Sequence, residues 1–215
     1  MGGRGASSVS RLSGGGRLDP SSIVSTTSFI SERGKLQEEV DQVLEVFRDF
    51  ENMYGYDVYD IQIAKLKGAD AMGALPYYDG ANIAFNSNFV NADKMEKVYA
   101  DTVQSGFHPN NGNKTGLQAV TAHEIGHALV GEIAIKQGKS AMGSIDEVST
   151  MIVNQARKAT GHKGVVQMAS KISRYATVSN AEAVAEAFAD WYSNGSKAQK
   201  ESIAIVNVVN QLWRS

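Results

Sequence analysis

The sequence contains no cysteine. Disulfides, thiolate zinc sites and a cysteine nucleophile are thereby excluded. The absence does not fix a compartment, because exported proteins can also lack cysteine. Neither sign of charge is in excess: Lys and Arg number 21 against 23 Asp and Glu, and the net charge is -2. No basic surplus exists to drive binding to nucleic acid, which is not expected as a partner. No apolar run approaches the ~20 residues of a membrane-spanning helix, so no membrane span is expected. The opening stretch MGGRGASSVSRLSGGGRLDP lacks a continuous apolar segment and reads as no signal peptide. Localisation stays open: export would need another carrier, or delivery as part of a larger protein. Histidine is scarce, with 4 in the chain.

What remains is a globular composition. The 215 residues are 42% hydrophobic and 20% charged, enough for one domain with a tail. Residues 1–16 hold six Gly, four Ser and two Arg. Such a segment buries too little apolar area to offset its ordering entropy. Residues 1–25 read as a flexible tail or linker, and residues 26–215 as the folded domain. A Gly/Ser linker at the start of a chain also suggests an upstream domain joined through it.

Order is expected from about Ser31. Leu36, Val40, Val43, Leu44, Phe47 and Phe50 keep the spacing of one helical face, and Gly55 suits the helix end. Residues 56–66 alternate and are rich in β-branched and aromatic residues, which predicts a strand. Asp79-Gly80 is a turn signal between residues 75–78 and 81–86, which predicts a hairpin. Residues 91–105 read as a helix and 108–116 as a loop. From Leu117 onward the pattern is mainly helical, with Asn180 as a candidate cap for a helix carrying Val184, Phe188 and Trp191 on one face. The C-terminal run IAIVNVVNQLW is ambiguous, and its spacing favours helix over strand. The expected class is α+β: a small N-terminal α/β part followed by a mainly helical C-terminal part.

Residues 123–127 read His-Glu-Ile-Gly-His. On a helix, positions i and i+4 share a face, so His123 and His127 can aim both imidazoles at one point. That arrangement supplies two nitrogen ligands to one zinc ion. Zinc lowers the pKa of a bound water to about 7, and Glu124 is placed to take its proton and hand it to a leaving amine. The flanking Ala119, Val120, Ala122, Ala128, Leu129 and Val130 predict a buried helix, in which two histidines need partners.

A catalytic zinc needs a third protein ligand. Gly131 is one position late for a metzincin pattern, and no third histidine follows in the helix. His162 sits in a surface-turn context and is set aside, as is His108. The better source is the segment 180–192. Glu182 and Glu186 lie i, i+4 on one face, opposite Val184, Phe188 and Trp191. One could ligate the metal while the other accepts the far N–H of a ligand histidine. Glu186 and Asp190 form a second acidic pair at the same spacing, so the register is open at this point.

These residues resemble a known family. His-Glu-Ile-Gly-His, then Ser173-Arg174-Tyr175, then Asn180 to Phe188 (NAEAVAEAF) look like the anthrax-lethal-factor type of gluzincin metalloprotease, a group that includes secreted Pro-Pro endopeptidases. That family carries a Glu-x-x-Ala-Glu-x-Phe motif, with a tyrosine seven residues before its first glutamate. Tyr175 stands seven residues before Glu182. The resemblance implies a zincin-like metalloprotease domain over 26–215. It implies Zn2+ held by His123, His127 and Glu182, with Glu186 on a zinc-bound histidine and Tyr175 stabilising the oxyanion. It covers about residues 115–213. The Arg/Gly/Ser-rich start is weakly similar to linkers of prophage head proteins that carry toxin-like domains. Such proteases bind an extended peptide along an edge strand above the active-site helix, and Asn82, Ile83, Ala84, Phe85 and Asn86 are the candidate edge.

The expected function is a zinc-dependent endopeptidase acting on a peptide or protein substrate, with Glu124 as general base. The alternative is a zinc-containing binding or structural module of a phage or effector protein, without hydrolytic activity.

Overall fold

In the computed structural model of the chain the described residues are 36–55, 60–64, 73–77, 82–86, 91–139 and 141–215. The expected tail at 1–25, the start of order near Ser31 and the Asp79-Gly80 turn lie outside them. Helix α1 spans Gln37–Tyr54. Three strands follow: β1 (Asp60–Ala64), β2 (Gly73–Tyr77) and β3 (Asn82–Asn86). The remainder is helical: α2 (Ala92–Gln104), α3 (Gly116–Lys136), α4 (Ala141–Thr160), α5 (Val165–Ala169), α6 (Asn180–Asn194) and α7 (Lys200–Arg214). Short 3-10 turns at Tyr175–Thr177 and Gly195–Lys197 flank α6.

The α+β class is corrected by this layout. The described structure is mainly helical, and β structure is confined to three strands of five residues each. The described hydrophobic core is built by helix on helix. Its largest fully buried side chains are Tyr99, Phe50, Phe188, Met95, Leu117, Ile125, Leu129 and Ile133, all from helices. Alternation over 56–66 signals local strand propensity but says nothing about how large a sheet it joins.

The strand order is β1-β3-β2, with β3 parallel to β1 and antiparallel to β2. The assignment of Asn82–Asn86 as a free edge is therefore wrong. β3 is the central strand, and ladder bonds to two neighbours occupy the main-chain groups that an incoming peptide would need. The edge strand that lies against α3 is β2.

Local signals account for the helix ends. Gly55 closes α1 in the left-handed conformation, at φ 59°, with its N–H on the Glu51 carbonyl. Thr115 opens α3 with a reciprocal capping box: its side chain accepts from the Gln118 N–H, and the Gln118 side chain accepts from the Thr115 N–H. Ser179, one residue before the expected Asn180, caps α6 by accepting from the Glu182 N–H at 3.1 Å. The run at 203–213 lies within α7, a helix.

α3 is buried on every side from Gly116 to Gly131. Its chief partner is α6. An added Cβ at Gly126 would stand 3.1 Å from the Ala185 Cα and 3.1 Å from the Phe188 Cβ. The two backbones meet there because Gly126 brings no side chain and fits against the Ala185 backbone beside Phe188. That close approach places one face of α6 over the His-Glu-Ile-Gly-His turn.

Candidate metal centre

His123 and His127 project from α3 as i, i+4 neighbours, with ring centroids 4.9 Å apart. Across the helix contact, Glu182 on α6 brings Oε2 to 3.3 Å from His123 Nε2 and 3.5 Å from His127 Nε2. One ligand atom from each residue lies within 4.8 Å of the other two, and all three side chains are buried. His123 Nε2, His127 Nε2 and both Glu182 oxygens have no hydrogen-bond partner. Buried polar atoms without partners are costly, and several aimed at one point need a common occupant. Two imidazole nitrogens and a carboxylate are the donor set of a catalytic zinc site. The residues present fit the ion.

Comparison with family models, curated proteins and solved structures finds no match.

Glu186 lies one turn further along α6 and does different work. Its Oε1 accepts from His123 Nδ1 at 2.8 Å, and its Oε2 accepts from the Ser173 hydroxyl at 2.7 Å. Burial would raise its pKa, but His108 and His123 hold it down at about 2. An ionised carboxylate only accepts, so the His123 proton sits on Nδ1. In the neutral ring that a metal would require, Nε2 then carries the lone pair and faces the His-His-Glu centre.

Asp190, the other acidic residue of the alternative register, is engaged elsewhere: it accepts from the Gln199 N–H at 2.8 Å, the Ser202 hydroxyl at 2.6 Å and the Asn194 amide at 2.9 Å. Its task is to tie the end of α6 to the start of α7. His162 is likewise engaged elsewhere, with Nε2 2.7 Å from Glu201 Oε1.

Glu124 is fully buried, and neither carboxylate oxygen has a hydrogen-bond partner. Burial raises its pKa to about 7, against the pull of His123 and His127 and with a push from Glu182 and Glu186. His123 moves the other way from its burial. Desolvation alone would lower its pKa, but Glu182 and Glu186 hold it well above the usual value. Glu182 is kept below the ordinary carboxylate range by His127 and His123, against its burial.

Tyr175 opens the 3-10 turn before α6 and is 5% exposed. Its ring stacks on His123, with centroids 6.1 Å apart and planes 25° apart. Burial, then the charges of Glu182, Glu186 and Glu124, push its hydroxyl far above the normal range. It therefore stays a donor at any working pH. Its backbone is fixed from the loop after α2: Arg174 N–H donates to the Gly106 carbonyl at 2.9 Å, and Tyr175 N–H to the Phe107 carbonyl at 3.0 Å.

The α3/α6 contact thus gathers His123, Glu124, His127, Glu182, Glu186 and Tyr175. The central strand Asn82–Asn86 carries no free edge toward them. Sequence reasoning missed two members of the centre. Ser173 orients Glu186, and His108, set aside as a ligand, also ends on Glu186, its Nδ1 2.9 Å from Oε1. Ser173 stood next to the motif tyrosine. His108 had no pattern around it, only the rarity of histidine in this chain.

Among the described residues, no helix is long and apolar enough to cross a membrane.

Proposed function

We propose that the chain is a single-zinc endopeptidase of the gluzincin type. The observation that carries this reading is the convergence of unpartnered, buried His123 Nε2, His127 Nε2 and Glu182 oxygens beside an equally unpartnered Glu124. A site that only held a metal for structure would have no use for a buried carboxylate raised to a pKa of about 7 next to its ligands.

His123, His127 and Glu182 would hold the ion. Zinc supplies Lewis acidity when bound, lowering the pKa of a water and polarising a carbonyl. Glu124 takes the proton of the attacking water at a carboxylate oxygen and delivers it to the departing amine nitrogen. With neither carboxylate oxygen engaged by the protein, Glu124 is free to serve both transfers. Tyr175 donates its O–H to the carbonyl oxygen as negative charge develops there, a contribution realised mainly in the transition state. Glu186 keeps the His123 proton on Nδ1. The near-complete burial of these side chains excludes bulk water and strengthens each electrostatic contact.

A peptide is the proposed substrate because the residues from His123 to Phe188 resemble a peptidase family. An extended peptide would pair along the edge of β2, the strand beside α3. The test is a broad peptide library incubated with the zinc-loaded chain and with Glu124→Gln. The proposal expects cleavage by the wild type and a loss of roughly 10²-fold or more in the variant, in line with the usual worth of general acid–base catalysis. Zinc binding without cleavage of any peptide would favour a binding module instead.

A further inference from the structure

Glu186 is not held by one histidine but by two. His123 Nδ1 and His108 Nδ1 stand 2.8 Å and 2.9 Å from the same oxygen, Oε1. The Ser173 hydroxyl occupies Oε2 at 2.7 Å. His108, His123, Ser173 and Glu186 are all buried. A carboxylate oxygen offers two lone-pair directions, and two ring N–H groups fill both on Oε1. With His123 and Ser173 alone, the carboxylate could pivot about its last torsion, which is a soft one. A third donor, arriving from a different element, removes that freedom.

His108 is itself rigidly placed. Its ring stacks on Tyr99, with centroids 5.5 Å apart and planes 11° apart, and the Tyr99 hydroxyl donates to the carbonyl of Pro109. The neighbouring carbonyls of Gly106 and Phe107 hold the Tyr175 segment. One loop after α2 therefore anchors both the candidate oxyanion donor and the carboxylate behind His123.

We infer that His108 is a positioning residue for the metal centre: its Nδ1–H locks Glu186 in the orientation that keeps the His123 proton on Nδ1 and leaves His123 Nε2 to ligate. The inference rests on the zinc reading above. It reaches the metal through two intermediates, His108 to Glu186 to His123, so it concerns affinity and ligand geometry rather than chemistry at the substrate.

The experiment compares zinc affinity, by competition with a chelator, in the full-length wild type, His108→Phe and His108→Asn. Phe keeps a flat ring against Tyr99 but has no donor. Asn carries an amide N–H near the position of Nδ1. Thermal melts of the zinc-free proteins run alongside, and the His123 Nδ1–H resonance is followed in the zinc-loaded forms. The expected result is a 10–100-fold weaker affinity for Phe, the size usual for losing an orienting partner, with the resonance broadened or lost. Asn should stay within about threefold of wild type and keep the resonance. Should the Phe variant fail to fold, His108→Gln replaces it, because its amide reaches the Nε2 position and not Nδ1, and the same loss is expected. A donor-free variant that binds zinc as tightly as wild type overturns this inference alone, as does an Asn variant as weak as Phe. A wild type that binds no zinc overturns the zinc reading itself and this inference with it.

Discussion

His123 Nε2 and Glu182 Oε2 stand 3.3 Å apart across the α3/α6 contact, at ion-pair distance, yet neither atom makes a hydrogen bond. In the proposed reading the ion sits between them and His127. In the zinc-free protein, the negative charges of Glu182 and Glu186 keep His123 protonated well above its usual pKa. Metal ligation requires the neutral ring. Zinc binding at pH 7 should therefore release about one proton per ion or more. Calorimetry in buffers of different ionisation heat measures this number. A value of zero would mean that His123 is already neutral in the zinc-free protein or does not ligate the ion.

Glu124 gives the zinc-free protein a pH signature of known sign. Its pKa rises from 4.5 in the unfolded chain to about 7 in the fold, chiefly by burial. Between those values the native state holds a proton that the unfolded state has released, so stability falls as pH rises through the window. The fall is roughly 3 kcal/mol, from the shift at 1.36 kcal/mol per pKa unit. Glu124→Gln removes it. Denaturant melts of both zinc-free proteins at acid and mildly alkaline pH should show the variant gaining on wild type with rising pH. Parallel curves would contradict the burial of an ionisable Glu124.

Gly126 sets the distance between the two helices that carry the ligands. Gly126→Val would drive a Cβ to 3.1 Å from the Ala185 backbone, which is no flexible side-chain tip. The expected cost is about 1–3 kcal/mol of overpacking, with weakened zinc affinity because Glu182 is pushed off the histidines. Thermal melts and chelator competition on the same preparation would read both. A variant with unchanged affinity would mean that the contact does not set the site.

His162 provides the contrast. Its partner Glu201 is 2% exposed. His162→Ala should cost roughly 1–3 kcal/mol, because a buried carboxylate loses its hydrogen bond. It should leave zinc content untouched. Loss of zinc in this variant would put the metal in a different place.

The histidine pair of the candidate centre was legible because its signal is local. Two histidines one turn apart need only a helix, and apolar flanks on both sides made that helix buried. Helix faces and caps were legible for the same reason, to within a residue at Ser179. The choice between Glu182 and Asp190 was open from spacing alone, since both form acidic pairs with Glu186. The fold favours Glu182, because Gln199 and Ser202 at the start of α7 claim Asp190. Strand order was not legible. Placing β3 between β1 and β2 is a long-range pairing that alternation in a short run cannot encode, and the same run led to too much weight on β structure. His108 was invisible because a loop histidine gains its role only when α2, α3 and α6 meet.

The central claim is a single zinc held by His123, His127 and Glu182. The most direct measurement is zinc per chain, by elemental analysis, for the wild type and Glu182→Ala purified side by side. The account predicts about one zinc in the wild type and little or none in the variant, as expected for a three-ligand site stripped of one ligand. No zinc in the wild type, or a full complement retained without Glu182, would contradict it.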